Sequence, residues 1–209
     1  AAQEAKSPLP TGKIKDVTLS RVICGGNLIG GWAHSRDLIY VSRLFKAYNT
    51  DEKIMDTLQI CEEHGVNAVL TNPVSGPVIN RYWKERGGKI QWISETHPKP
   101  GDVKSGVMSA VENGAAMVYI QGNVGDRLVL ANKLDVIAET MACIRDCGVP
   151  AGVGGHALRT VVECEKAGID LDFYVKTLHS GDYWSSRRPD QTTEVVNDNR
   201  DNFWCYEPE

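Results

Sequence analysis

An α/β fold built on a parallel sheet is predicted by three observations. Five apolar-periodic stretches stop at a glycine, at Gly65, Gly87, Gly114, Gly148 and Gly168. Glycine just past a helix relieves the left-handed position that closes the last turn. Each stop leads into a short apolar run, VNAVLTNP, KIQWISETHP, AAMVYIQG, VPAGVGGH and IDLDFYVKTLH, too short for a helix and apolar enough to be buried on both faces. Each run closes on polar or charged residues, and parallel α/β folds place ligands at the carboxyl ends of their strands. Those ends, read in order with the first glycine turn, are Asn27, Asn72, Glu95 with His97, Gln121, His156 and His179.

Residues 1–16 read as an extended lead-in rich in Pro, Lys and small residues. Residues 17–24 read as the first strand, ending in Gly25-Gly26-Asn27. The stretch from Leu28 to Asn49 is long for a connection and is expected to be functional or to carry its own short helix. Thr50, followed by Asp51 and Glu52, has the chemistry of a helix N-cap with acids in the first turn. Further strands are expected at 66–71, 90–95, 116–121, 151–154 and 172–178, with Pro98 and Pro150 at strand exit and entry. Residues 17–209 are read as one domain, in which 180–209 breaks the rhythm as a long top-face loop or lid. Six βα units fall short of the eight strands and about 250 residues of a (β/α)8 barrel. A TIM-type barrel incomplete in this chain is therefore expected, with two unpaired sheet edges for a homo-oligomer or a partner segment to complete.

Composition narrows the function. The 209 residues are 42% hydrophobic with a net charge of −4, and no basic stripe is present, so neither nucleic acid nor a membrane is an expected partner. Six cysteines without a CxxC pair read as buried free thiols. The start, Ala1-Ala2-Gln3-Glu4, looks like a trimmed mature end, which slightly favours an exported or periplasmic location over a cytoplasmic one.

The segment Leu19-Ser20-Arg21-Val22-Ile23-Cys24-Gly25-Gly26-Asn27-Leu28-Ile29-Gly30-Gly31 resembles the first barrel strand of the aldo-keto reductase superfamily. The order of units fits that barrel through its sixth strand, over 17–179. The resemblance implies the barrel but not the chemistry. That family uses an Asp and a Tyr after its second strand, a Lys at the end of its third and a His at the end of its fourth. Here those places hold Thr71-Asn72-Pro73-Val74-Ser75-Gly76, Glu95-Thr96-His97 and Gln121. The resemblance is thus to a divergent branch lacking the hydride-transfer tetrad, and NADP is not expected.

Ligand-type residues stand in the tetrad's place. Glu95 and His97 are two apart and point to one side of a strand. His156 and His179 end adjacent strands, as metal-binding histidines do in barrel hydrolases resembling the amidohydrolases, although no His-x-His follows the first strand here. With Glu95 they form a candidate site for Zn, Mn or Fe. The same histidines also suit neutral hydrogen bonding to a sugar or carboxylate. Lys176 is expected to point into the barrel mouth, as base, Schiff-base amine or partner of Glu95, because an outward ammonium would be buried against the helices. His64 reads as a helix-end cation. Trp32, Trp184 and Trp204 suit stacking on sugar faces.

These readings combine into a metal-assisted hydrolase, isomerase or lyase acting on a small polar, sugar-like substrate. Lys176, Glu95 and His97 are the candidate catalytic residues. Asn27, His34, Arg36, Asn72, Gln121, Asp182 and Trp184 are the candidate substrate contacts, and His156, His179 and Glu95 the candidate metal ligands. The alternatives are an NAD(P)-dependent oxidoreductase of the aldo-keto-reductase type and a non-catalytic barrel subunit.

Overall fold

A computed structural model of the chain describes residues 9–32 and 40–177 and the strands 195–197 and 203–205. The elements in order are β1 (Thr11–Ile14), β2 (Val17–Ser20), β3 (Cys24–Gly25), α1 (Asn27–Gly30), α2 (Val41–Tyr48), α3 (Asp51–Glu63) and β4 (Ala68–Thr71). A 3-10 turn (Pro73–Ser75) leads into α4 (Gly76–Arg86), β5 (Gln91–Thr96), α5 (Ser105–Glu112), β6 (Met117–Ile120), α6 (Gly122–Leu130), α7 (Leu134–Asp146), β7 (Ala151–Gly155), α8 (Leu158–Lys166) and β8 (Phe173–Lys176). Last come β9 (Val195–Asn197) and β10 (Phe203–Cys205), an antiparallel pair.

Strands β3 to β8 form one parallel sheet in sequence order, a curled half-barrel with β3 and β8 at its edges. All five predicted glycine stops have positive φ, between 62° and 90°, a region that a side chain on Cβ disfavours. Thr50 caps α3 as its chemistry requires, accepting from Lys53 N at 3.4 Å. The long stretch before it does carry short helices, α1 and α2.

Alternation along the strands separates two cores. Val69, Trp92, Val118, Ile120, Ala151 and Val153 face the helices and pack with Leu58, Ile79, Ile137 and Ile144. Each such side chain contributes roughly 1.5–3 kcal/mol by its burial. Ala68, Ile93, Met117 and Tyr119 face the concave side with Leu70, Phe173 and Val175 packed against them.

The first strand differs from expectation. Residues 11–14, read as part of the lead-in, pair antiparallel with 17–20 across a turn in which Lys15 has φ 51°. This hairpin covers the amino-terminal end of the half-barrel. Leu19 packs into the concave core, and Ser20 N donates to Asn67 Oδ1 (2.8 Å) while Asn67 and Gln91 side-chain amides both donate to Thr18 O (2.9 Å each). Ser20 Oγ then donates to Val22 O at 2.6 Å and turns the chain, so the sheet strand proper begins only at Cys24. Residues 17–24 read as a single strand because both halves are extended and no glycine or proline marks the break.

Candidate active site at the carboxyl ends of the strands

The carboxyl ends of the sheet strands enclose a cavity of about 590 Å³, within the usual range for small-molecule sites of roughly 300–1,000 Å³. Asn27, Asn72, Glu95, His97, Gln121 and His156 all line it, together with Trp32, Tyr119 and Asn123.

Glu95 stands at the centre of one hydrogen-bonded group. Tyr119, its neighbour in the β5–β6 register, donates its hydroxyl to Oε1 at 3.1 Å. Asn72 donates Nδ2 to Oε2 at 3.1 Å, and its orientation is set by the following turn, because Asn72 Oδ1 accepts from Val74 N at 3.1 Å. His97 lies on the same side of the strand, as its spacing requires, with Nε2 3.4 Å from Glu95 Oε2. Burial first, and the charge of Glu95 second, push the Tyr119 phenol well above its ordinary range, so the hydroxyl remains a donor to the carboxylate.

A second group surrounds His156. Its Nδ1 is 2.8 Å from Oδ2 of Asp126, whose side chain is 0% exposed. That carboxylate also accepts from His156 N (3.0 Å), Ala157 N (3.2 Å) and Thr160 Oγ1 (2.6 Å). A carboxylate surrounded by donors is an acceptor, so the Nδ1 position carries the proton and the ring's basic chemistry runs through Nε2. Glycines permit the packing: a Cβ on Gly125 would come within 2.1 Å of Gly154 O, and one on Gly122 within 2.9 Å of the His156 ring. Helix α6 can therefore lie directly on β7 and bring Asp126 beneath the imidazole.

Helix α6 also begins at the cavity. Gln121 caps it by accepting from Val124 N at 3.1 Å, which leaves the Nε2 end of its amide as the donor for any ligand. Asn123 Oδ1 is buried without a hydrogen-bond partner, an arrangement that costs about 1–3 kcal/mol in a fold that offers it nothing.

Lys176 requires a correction. Phe173 and Val175 take the concave side of β8, and Tyr174 packs against the core on the helix side. Lys176 therefore shares the outward parity of Tyr174. It does not line the cavity, although Val175 and Thr177 do, and its ammonium donates to the carbonyls of His156 and Thr177. The expected desolvation is relieved by those carbonyls, on an edge strand that is only half-buried along its length. His64 is structural as read, its Nδ1 2.8 Å from Ile60 O at the end of α3. His34, Arg36, His179, Asp182 and Trp184 lie outside the described residues.

Two residues of the site, Asp126 and Tyr119, went unread in the sequence. Tyr119 sits inside an apolar run and reads as core. Asp126 lies on α6 rather than at a strand end. Its signal is an acid on the same helical face as Gly122, Gly125 and Val129, where a charge needs a buried partner.

Among the described residues no three His, Cys, Asp or Glu side chains form a metal-holding group. Both oxygens of Glu95 already accept hydrogen bonds. The described part of the site thus supplies His156 and Glu95 toward a metal but not a complete ligand set.

No family model matches the sequence, and no curated protein does. Solved structures are similar in fold. A protein assigned as an aldo-keto reductase from Pseudomonas aeruginosa is 16% identical over 81% of this chain and 66% of its own, with a TM-score of 0.52. The tetrameric deoxyribose phosphate aldolase of Aeropyrum pernix is 14% identical over 64% of this chain and 59% of its own, with a TM-score of 0.43. The phospho-2-dehydro-3-deoxyheptonate aldolase of Thermotoga maritima is 10% identical over 83% of this chain and 48% of its own, with a TM-score of 0.46. The chain thus spans about half to two thirds of the length of these structures. The chain has the α/β fold of a TIM-type barrel, with an incomplete barrel of six parallel strands among the described residues. No helix among the described residues is long and apolar enough to cross a membrane.

Proposed function

We propose that the site belongs to an enzyme that moves protons on a small, polar, sugar-like substrate, as a lyase, isomerase or hydrolase. One observation carries this reading: Glu95 and His156, each oriented by a buried partner, line the same cavity. Catalytic acids and bases are recognised by such second groups, which fix protonation and direction.

In this reading His156 takes a proton through Nε2 while Asp126 holds the ring and stabilises the imidazolium. Glu95, held by Tyr119 and Asn72, serves as the second proton carrier, with His97 beside it. Asn27 and Gln121 orient hydroxyls, and Trp32 offers a ring to an apolar sugar face. The experiment is a turnover screen of aldoses, ketoses and sugar acids with the wild-type chain beside Glu95→Gln and His156→Gln. The reading expects conversion by the wild type and a loss of about 10²-fold or more in each folded variant. Equal turnover in all three chains contradicts it.

A second reading adds a divalent metal, Zn, Mn or Fe. It is favoured by the Asp126–His156 contact, since metal-binding histidines commonly donate their other ring nitrogen to a carboxylate. His156 and Glu95, with His179, would hold the ion, which would supply a Lewis acid at the cavity. Elemental analysis of the dialysed protein beside a His156→Ala/His179→Ala variant tests this. Near-stoichiometric metal lost in the variant supports it, and a folded, metal-free wild type removes it. The edges at β3 and β8 are where a second copy or a partner segment would add strands.

A further inference from the structure

Helices α5 and α7 touch on the helix side of the sheet, and the sides they turn toward each other carry sulfur. Met108 on α5 places its Sδ 3.7 Å from the Sγ of Cys147, which closes α7. Cys143 stands one helical turn before Cys147, a spacing of about 5–6 Å between Cβ atoms. Lys104 stands one turn before Met108 in the same way, and both Cys147 and Lys104 act electrostatically on the Cys143 thiol. The pairs Lys104–Met108 and Cys143–Cys147 therefore run alongside each other, and two thiols and a thioether gather on one strip. The strip is open to solvent: Met108 is 43% exposed and Cys147 partly so, while Cys143, 9% exposed, backs it from the core. None of the three lines the cavity at the strand ends.

The geometry points to a binding site for one soft monovalent cation, Cu(I), held by the sulfurs of Cys143, Cys147 and Met108. Thiolate and thioether ligands together select Cu(I), whereas Mn and Mg take oxygen ligands. A structural zinc site takes four thiolate, imidazole or carboxylate ligands, and among the described residues no three His, Cys, Asp or Glu side chains form such a group. One ion bonded to three sulfurs at about 2.3 Å in a plane spaces them about 4.0 Å apart, close to the 3.7 Å already present between Met108 and Cys147. The ion keeps its oxidation state on binding. Each thiol gives one proton to solvent as its sulfur–metal bond forms, and Met108 gives none. Two thiolates and one Cu(I) leave a single negative charge beside the ammonium of Lys104. Burial first, and Cys147 second, raise the pKa of the Cys143 thiol, and Lys104 opposes them.

The test titrates the reduced, metal-free whole chain, without oxygen, against Cu(I) held by the coloured chelator bicinchoninate. Met108→Leu, Cys147→Ser and Cys61→Ser are run beside the wild type, with thermal midpoints to show that each is folded. Met108→Leu keeps an apolar side chain of similar size, and Cys147 lies at a helix end, so both substitutions spare the core. The wild type should withdraw one equivalent from the chelator. Met108→Leu should bind about 10-fold or more weakly, and Cys147→Ser should lose the equivalent. Cys61→Ser alters the other neighbouring thiols, Cys24 with Cys61, and should bind as the wild type does. X-ray absorption at the copper edge should find three sulfurs around the ion in the wild type and two in Met108→Leu, which tests Cys143 without disturbing its buried position. No equivalent taken up by the folded wild type would overturn the inference. So would unchanged affinity in either Met108→Leu or Cys147→Ser, or a loss confined to Cys61→Ser.

Discussion

His156 and Asp126 are 30 residues apart in sequence and 2.8 Å apart in space, joined from Nδ1 to Oδ2 beneath the wall of the cavity. The contact ties a strand end to the neighbouring helix α6 and fixes which ring nitrogen carries the proton. Its removal should separate chemistry from stability. Asp126→Asn retains the size of the side chain but not the acceptor geometry, and should lower turnover by about 10²- to 10⁴-fold. Nitrogen NMR of the His156 ring checks the cause: a proton on Nδ1 in the wild type, displaced in the variant. Asp126→Ala strands four donors and should cost about 3–5 kcal/mol in urea unfolding.

Tyr119 predicts an alkaline dependence. Its folded phenol is held above the usual value near 10 by burial and then by Glu95. Above that pH the unfolded chain releases this proton while the folded chain retains it, so the unfolded state binds fewer protons and stability falls as pH rises. The contribution is complete below about pH 10 and is lost as pH climbs toward the folded value. Tyr82 and Tyr174, which donate to Glu62 and Glu165, are shifted in the same direction. Urea midpoints should decline above pH 10, and Tyr119→Phe should decline less steeply. Equal slopes would contradict the assignment.

Gly125 holds α6 against β7. A methyl group there would meet the Gly154 carbonyl oxygen at 2.1 Å, and backbone cannot yield as a flexible side chain does. Gly125→Ala should destabilise by about 1–3 kcal/mol or more, and by moving Asp126 should reduce turnover as well. Gly148→Ala, where the added atom meets open space, should act only through its left-handed φ of 77° and leave the site intact. Unfolding curves and turnover of the two variants separate clash from conformation.

The glycine stops, the five later strands and the cluster of Asn72, Glu95, His97, Gln121 and His156 were legible because each rests on local chemistry or on a strand end. The first strand was not, since the break at Arg21 to Ile23 falls between two extended halves without a glycine or proline to mark it. Lys176 takes the outward side against the expectation from its charge, because the carbonyls of His156 and Thr177 receive the ammonium there. Tyr119 and Asp126 depend on register and helix docking, which join residues distant in sequence and leave little trace in either segment alone.

Proton transfer in this cavity would appear as hydrogen exchange at the carbon beside the carbonyl of simple aldoses and ketoses in deuterated water, followed by proton NMR. Deuterium incorporation should be catalysed by the wild type and reduced about 100-fold or more by His156→Gln and by Glu95→Gln, both still folded. No exchange above the uncatalysed rate with the folded wild type, or the same rate in all three chains, would contradict it.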